Sequence, residues 1–270
     1  MIEPSIDAGK EEAFSIEGRI VPSVRSRSLI LRTVEVFETS LVVTMFTRET
    51  GKVSALAKGG RRLKGPFSGG LDLLGVSDIV VLHKASDALD LLTEAAPVER
   101  FTSLRHDLAA LYAGYYVAEL LTELTDFHDP HPKLFDAAVV TLRHLGESAL
   151  RDRRVLRFEL AVLRELGLMP ALDACTHCGE VIDAAGEAFA FGLATGGVLC
   201  PNCRPGEPHV ATVSGRALEA LRTLAAPGSA WRALDADPAA VAPLRATLGA
   251  VISHLLGRRP RLLPYLGPGV

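Results

Sequence analysis

Two hydropathy textures divide the chain. From Ser28 to Thr93, short apolar runs alternate with turn-forming residues; beyond Pro97, apolar residues recur at helical spacing. The first texture contains five runs rich in β-branched and apolar residues, Ser28–Phe37, Leu41–Thr47, Lys52–Ala57, Ser77–Leu82 and Leu89–Thr93. Glu38-Thr-Ser40 and Glu49-Thr-Gly-Lys52 supply the turn chemistry between the first three. Five short strands within about seventy residues predict a small barrel or sandwich, and an oligonucleotide-binding barrel is one such architecture. Phe37 and Phe46, inside these runs, are expected to pack in the core. With Phe67 they are also the aromatic side chains on which a base would stack if exposed.

The second texture predicts a helix over 102–124, with Leu104, Leu108, Leu111, Tyr115 and Leu124 near one face and Ser103 as its N-cap. Asp129-Pro-His-Pro132 stops it. Further helices are expected from about Lys133 to Leu145 and from Leu150 to Leu166, the latter closed by Gly167 and Pro170, making an antiparallel bundle. Residues 211–224 and 239–256 read as helical again around Pro227-Gly228. The best membrane-span candidate, Leu108–Leu121, is broken by Gly114 and Glu119 and reads as an amphipathic helix. With no basic-then-apolar start either, a soluble cytoplasmic protein is expected.

Charge sharpens this picture. The net charge is −3, yet residues 18–66 hold ten Lys or Arg against three acids, whereas residues 1–17 hold one Lys against five acids. A basic module is embedded in an acidic chain, and a concentrated positive field attracts polyanions whatever the total charge. Residues 57–70 contain five glycines, four Lys or Arg (Lys58, Arg61, Arg62, Lys64) and no acid. That composition suits either a solvated loop tip or a flexible clamp that orders on a phosphate backbone. Arg151, Arg153, Arg154 and Arg157 form a second basic run on the third helix, read as a solvated face or as a dock for an acidic peptide or nucleic acid.

All four cysteines fall in one pattern, Cys175-Thr-His-Cys178, twenty-one residues, then Cys200-Pro-Asn-Cys203. Each C-x-x-C turn presents two thiolates at one corner of a tetrahedron, and two such knuckles favour structural Zn²⁺ over an iron–sulfur cluster, a disulfide or a single redox pair. With four cysteines, no ligand position is left open for hydrolytic chemistry. Neither H-E-x-x-H, G-x-S-x-G, a phosphate loop nor a dinucleotide glycine fingerprint occurs, so no enzyme and no small-molecule substrate are expected.

These blocks together resemble a known family. The stretch Glu38 to Arg62, then Tyr116-Val-Ala-Glu-Leu120, Phe158-Glu-Leu, Leu166-Gly-Leu-Met-Pro170, Cys175-x-x-Cys-Gly179 and Gly196-Gly-Val-Leu-Cys200, in this order, resemble the bacterial recombination mediator family RecO. The resemblance implies an α+β, multidomain protein with an N-terminal oligonucleotide-binding β-barrel, a central and C-terminal α-helical bundle and an inserted four-cysteine zinc element. In this chain the division would be an N-terminal extension at 1–26, the barrel at 27–97, the helical domain at 98–170 with 211–270, and the zinc element at 171–210. It implies a non-enzymatic protein that binds single- and double-stranded DNA and anneals strands. With RecR, it would help load RecA on DNA coated by single-strand-binding protein. Carried over by position, Arg32, Arg48, Lys52, Lys58, Arg61, Arg62 and Lys64 would be the DNA contacts. Arg151, Arg153, Arg154 and Arg157 would receive the acidic C-terminal tail of the single-strand-binding protein. Localisation would be cytoplasmic and nucleoid-associated. The rival expectation is a zinc-ribbon adaptor that binds RNA or polymerase in transcription or translation.

Overall fold

The computed structural model describes residues 12–16, 19–62, 64–84, 89–235 and 237–267. Much of the expected N-terminal extension therefore lies outside the described residues. The chain divides into two compact units, one taking residues up to Thr102 together with Thr125–Val139, the other Ser103–Leu124 together with the chain from Val140 onward.

The first unit is a sheet of six strands: β1 (Glu12–Ile16), β2 (Arg19–Glu35), β3 (Leu41–Thr47), β4 (Gly51–Ala57), β5 (Val76–Leu82) and β6 (Asp90–Glu99). β2 begins at Arg19 and runs unbroken past residue 27, so strand structure starts upstream of the expected barrel boundary. β1 pairs with its first residues, Arg19–Ser23, and β5 pairs with it from Ser23 to Leu29. The other pairings are β2–β3, β3–β4 and β5–β6, all antiparallel, and β4–β6, which is parallel. Followed from strand to strand, β2–β3–β4–β6–β5–β2 is a closed circuit.

Strand alternation puts Ile30, Val43, Met45, Val53, Ala55, Ala57, Ile79, Val81, Leu92 and Ala95 into one buried cluster. Phe67, from the glycine-rich connection, joins that cluster. Its segment is held by Ala95 N donating to Pro66 O (3.1 Å) and Ser77 Oγ donating to Gly70 O (2.7 Å). A Cβ at Gly70 would lie 1.9 Å from the Ala95 carbonyl oxygen, so only glycine fits that crossing. The second half of the connection is thus ordered rather than mobile. β6 runs past Pro97, where helices were expected to begin; only Asp90–Leu92 pair with β4, and Pro97 sits at a register shift beyond that stretch, where a missing N–H is tolerated.

The second unit contains α1 (Ser103–His106), α2 (Leu108–Leu124), the end of α3 (Pro132–His144), α4 (Arg151–Glu165), α5 (Gly215–Ala225) and α6 (Pro238–Leu256). The single helix expected over 102–124 is two, because Asp107 leaves the helix and its Oδ1 accepts the Ala110 N–H at 3.0 Å, starting α2 afresh. Likewise the helix expected from 211 starts only at Gly215. Residues Val210–Ser214 form β9, which with β7 (Ala188–Gly192) and β8 (Gly197–Leu199) makes a sheet of order β8-β7-β9. Ser214 ends the strand and caps α5 through the Ala217 N–H.

α6 is the one helix among the described residues long and apolar enough to cross a membrane, a feature the sequence reading missed. It is a core helix: Val241, Leu244, Leu248 and Val251 pack in the main cluster with α4, α5 and the three-stranded sheet. Its Arg245, 1% exposed, bonds Asp152 Oδ1 at 2.7 Å.

Beside that pair, Glu159 is fully buried, with Oε1 accepting the Tyr116 hydroxyl at 2.7 Å. Glu159 Oε2 and Arg245 Nη1 have no hydrogen-bond partner among the described residues. Burial raises the Glu159 carboxyl to about 7 from the usual 4.5, against the pull of Arg245 and the Tyr116 hydroxyl. The folded state therefore holds this proton more tightly than the unfolded one. Stability present below about pH 4.5 is lost as pH rises through about 7. Denaturant titrations should show roughly 3 kcal/mol lost across that window from this one group. E159Q should flatten the slope there; an unchanged slope would remove Glu159 from the account.

Candidate nucleic-acid interface and four-cysteine centre

The outer face of β2, β3 and β4 carries two cross-strand rows: Arg32–Thr44–Ser54 and Val34–Val42–Leu56. The inward neighbours Val43, Met45, Val53, Ala55 and Ala57 are buried, and this alternation turns Arg32 outward. Lys58 follows Leu56 with the same parity. Arg32, Lys58, Arg62 and Lys64 are exposed, and none has an ion-pair partner among the described residues.

Arg61 behaves differently. Its backbone N–H donates to Thr39 O (3.1 Å), its Nη1 to Glu38 O (3.2 Å), and the same nitrogen lies 3.0 Å from Glu35 Oε2. It clips the basic turn to the β2–β3 connection. Arg48 is engaged by Asp136, Nε to Oδ1 at 2.9 Å and Nη2 to Oδ2 at 3.0 Å, and that hydrogen-bonded carboxylate raises its pKa. Both pairs are solvent-exposed and so worth about 1 kcal/mol or less, which leaves either arginine exchangeable onto a phosphate.

Lys52 corrects the expected set. It is 6% exposed; its ammonium donates to Thr125 O and stands 4.8 Å from the centre of the Phe127 ring. Its strand end is buried under the segment after α2, so its ammonium is committed there instead of facing solvent. Phe37 is the opposite correction. Expected in the core, it is 69% exposed at the β2–β3 turn, whereas Phe46 is buried 6.5 Å from Phe135.

The arginines of α4 are also corrected, since all four are committed within the second unit. Arg151 bonds Asp107 and Leu145 O; Arg153 Nη1 bonds Arg232 O (2.6 Å) and Leu234 O. Arg154 pairs with Glu147 at 2.6 Å, and Arg157 Nη1 bonds Leu224 O (2.8 Å) and Ala226 O (3.0 Å). Arg153 and Arg154 are buried. Guanidinium groups that cap helix-end and loop carbonyls are scaffold, so this run is not the solvated face the sequence suggests.

The four cysteine sulfurs lie within 4.8 Å of one another, a group able to hold a metal ion. Cys178 Sγ and Cys200 Sγ are 3.7 Å apart, and all four thiols are free of disulfides. The first knuckle is a closed turn, with Gly179 N donating to Cys175 O (2.9 Å) and Thr176 N to Val198 O (3.0 Å). The second is closed by Cys203 N and Arg204 N, both 3.1 Å from Cys200 O. Gly197 brings β8 against residue 171; a Cβ there would lie 2.4 Å from Ala171 O. Arg222 of α5 binds the lobe from beneath, through Leu172 O (2.9 Å), Ile182 O (2.7 Å) and Asp173 (3.0 Å), an anchor the sequence gives no sign of.

The donor set fits a thiophilic dication. Burial pushes the Cys175 thiol up, but N–H groups of Cys178, Cys200 and His177 overcome it and bring the thiol down to about 6. Cys203, hydrogen-bonded to Cys200 and Cys178, is pushed up to about 12. Four thiols this close ionise together only around a cation.

Comparison with known proteins follows this geometry. Residues 21–101 match the family described as Recombination protein O N terminal, and residues 105–264 match Recombination protein O C terminal. A DNA repair protein RecO of Rhodopirellula baltica is 40% identical, over 88% of this chain and 97% of its own length. One of Anaeromyxobacter dehalogenans is 37% identical over 91% and 97%, and one of Myxococcus xanthus 31% over 88% and 95%. A basic strand platform and a four-cysteine lobe thus sit in a chain that recombination-protein families cover almost throughout. The chain belongs to the RecO family of DNA repair proteins.

Proposed function

We propose that this chain is a non-enzymatic recombination mediator that binds and anneals DNA strands. The closed strand circuit would be an oligonucleotide-binding barrel, with polynucleotide lying on the outer face of β2, β3 and β4 and the basic turn after β4. The observation that carries the reading is the set of four exposed cations without an ion-pair partner among the described residues, Arg32, Lys58, Arg62 and Lys64, borne by that face and its turn. Phosphate binding there needs no base identity. Neutralising two strands at once lowers their mutual repulsion and concentrates them, which is sufficient for annealing and requires no nucleotide hydrolysis.

The four cysteines are assigned to structural Zn²⁺. A tetrahedron with Zn–S of about 2.3 Å separates its sulfurs by about 3.8 Å, close to the 3.7 Å between Cys178 and Cys200. Zinc would supply the lobe with the folding energy that a three-stranded sheet this small lacks. Work with RecR, delivery of RecA to coated strands, recognition of the single-strand-binding protein tail, and a cytoplasmic, nucleoid-associated location rest on family membership. The α4 arginines are not part of that assignment.

The test is annealing of complementary oligonucleotides followed by fluorescence quenching, bare and precoated with single-strand-binding protein. The full chain should accelerate both at low salt and lose the effect steeply with added salt. No acceleration, together with tighter binding to structured RNA than to DNA, would transfer the chain to the adaptor reading.

A further inference from the structure

The β2–β3 connection and the basic turn after β4 flank an open recess of about 330 Å³, lined by Phe37, Thr39, Ser40, Leu56, Lys58 and Arg62. That is the small end of the roughly 300–1,000 Å³ range of ligand sites, too small for a duplex but open to one nucleoside. Its parts are fixed rather than floppy. Val36 N donates to Ser40 O and Ser40 N to Phe37 O, both at 3.3 Å, closing the turn that carries Phe37. The opposite wall turns at Gly59, whose φ of +76° lies in the region that favours glycine, and Arg61 clips it to Glu38 O and Thr39 O. An aromatic ring left 69% exposed costs apolar burial unless something covers it. Here it stands beside two cations without ion-pair partners among the described residues.

We propose that this recess is a slot for one unpaired nucleobase, which stacks on Phe37 while Lys58 and Arg62 hold its flanking phosphates. The inference rests on the polynucleotide-binding reading and deepens it. The rest of the basic face recognises phosphate and is indifferent to strandedness, whereas a ring can be stacked upon only by a base that is out of its helix. Phe37 therefore makes this end of the face select single strands over duplex. Arg61 acts as a positioning residue that keeps the two walls together.

The experiment measures anisotropy of labelled oligothymidine, a backbone of equal length carrying abasic spacers, a duplex and oligouridine, using the full chain and its F37A, F37Y and K58A/R62A variants at moderate salt. F37A should weaken oligothymidine roughly 5- to 150-fold and move duplex and abasic backbone less than twofold; F37Y should restore the loss. The wild-type chain should bind the abasic backbone about as weakly as F37A binds oligothymidine. K58A/R62A should weaken every form. Equal oligothymidine affinity for wild type and F37A, or equal losses on single strand and duplex, overturns the slot while leaving the phosphate track standing. Failure of the wild-type chain to bind any polynucleotide at low salt overturns the track as well. Oligouridine behaving like oligothymidine supports a slot blind to the sugar; a Phe37 effect confined to oligouridine overturns the DNA assignment.

Discussion

Charge reversal of Lys58, Arg62 and Lys64 together is expected to cut affinity for single-stranded DNA on the order of 100-fold at about 0.1 M salt. A phosphate contact on a single strand releases about 0.7 counterion, so each is worth roughly fivefold at that salt relative to 1 M, and three multiply. The same change should reduce the log–log salt slope by about 2, from a starting value of about −3 if Arg32, Lys58, Arg62 and Lys64 act alone, steeper if Arg48 and Arg61 exchange onto phosphate. Titrations over a series of salt concentrations read both quantities. An unchanged slope would mean that the strand lies elsewhere. Arg48→Ala should matter much less, because Arg48 starts bonded to Asp136 through both nitrogens, and its exchange onto a phosphate returns only the difference between two exposed pairs.

The second large effect is expected from the metal. Stripping it with a chelator, or replacing Cys175 and Cys200 by serine, should lower the melting temperature by about 10 °C or more. Losing the centre releases the lobe and the packing beneath it, several kcal/mol, and each kcal/mol shifts a unit of this size by about 2–4 °C. Hydrogen exchange should localise the loss to residues 171–214, and added Zn²⁺ should restore both readouts in the native chain. Cys175 and Cys200 are buried in the same cluster as Phe191, Val198 and Leu218, so the lobe's core and its metal are lost together. Binding of oligothymidine should persist, since the cysteines and the basic face belong to different compact units. An unaltered melting curve after verified metal removal would show the sulfurs to be an idle cluster.

Legibility in the sequence followed the range of the interaction responsible. The C-x-x-C pairs, the helix stops at Asp129-Pro-His-Pro132 and Gly167, and the turn residues between the first strands are local signals, and each marks a feature found in the structure. α5 starts later than the periodicity predicts because Val210–Ser214 gain a strand partner, β7, that no local periodicity announces. Phe37 is exposed because the apolar alternation of β2 continues in the sequence past Glu35, where the chain has already left the sheet; the turn residues Glu38-Thr-Ser40 beside it are the local sign. The arginines of α4 show the limit most clearly. A run of four cations in a helix has the same composition whether it faces water or caps the carbonyls of residues 224, 226, 232 and 234, tens of residues away in the chain.

By itself the amino-acid sequence determined that a basic module stands in an acidic chain, that a run of short strands comes before the first helix, that four thiols can share one ion, and which family the blocks resemble. All of these are properties of residue type and near-neighbour spacing. Only the tertiary structure decided which cations remain available. Lys52 is buried against Phe127, Arg48 meets Asp136 eighty-eight residues on, Arg61 becomes a clip, and Arg32, Lys58, Arg62 and Lys64 are left facing solvent, Lys58 and Arg62 in one recess with the exposed Phe37. The physical reason is that a charge is spent or kept according to what folding brings within a few ångströms of it, and that proximity is set by strand register and loop packing rather than by the order of residues.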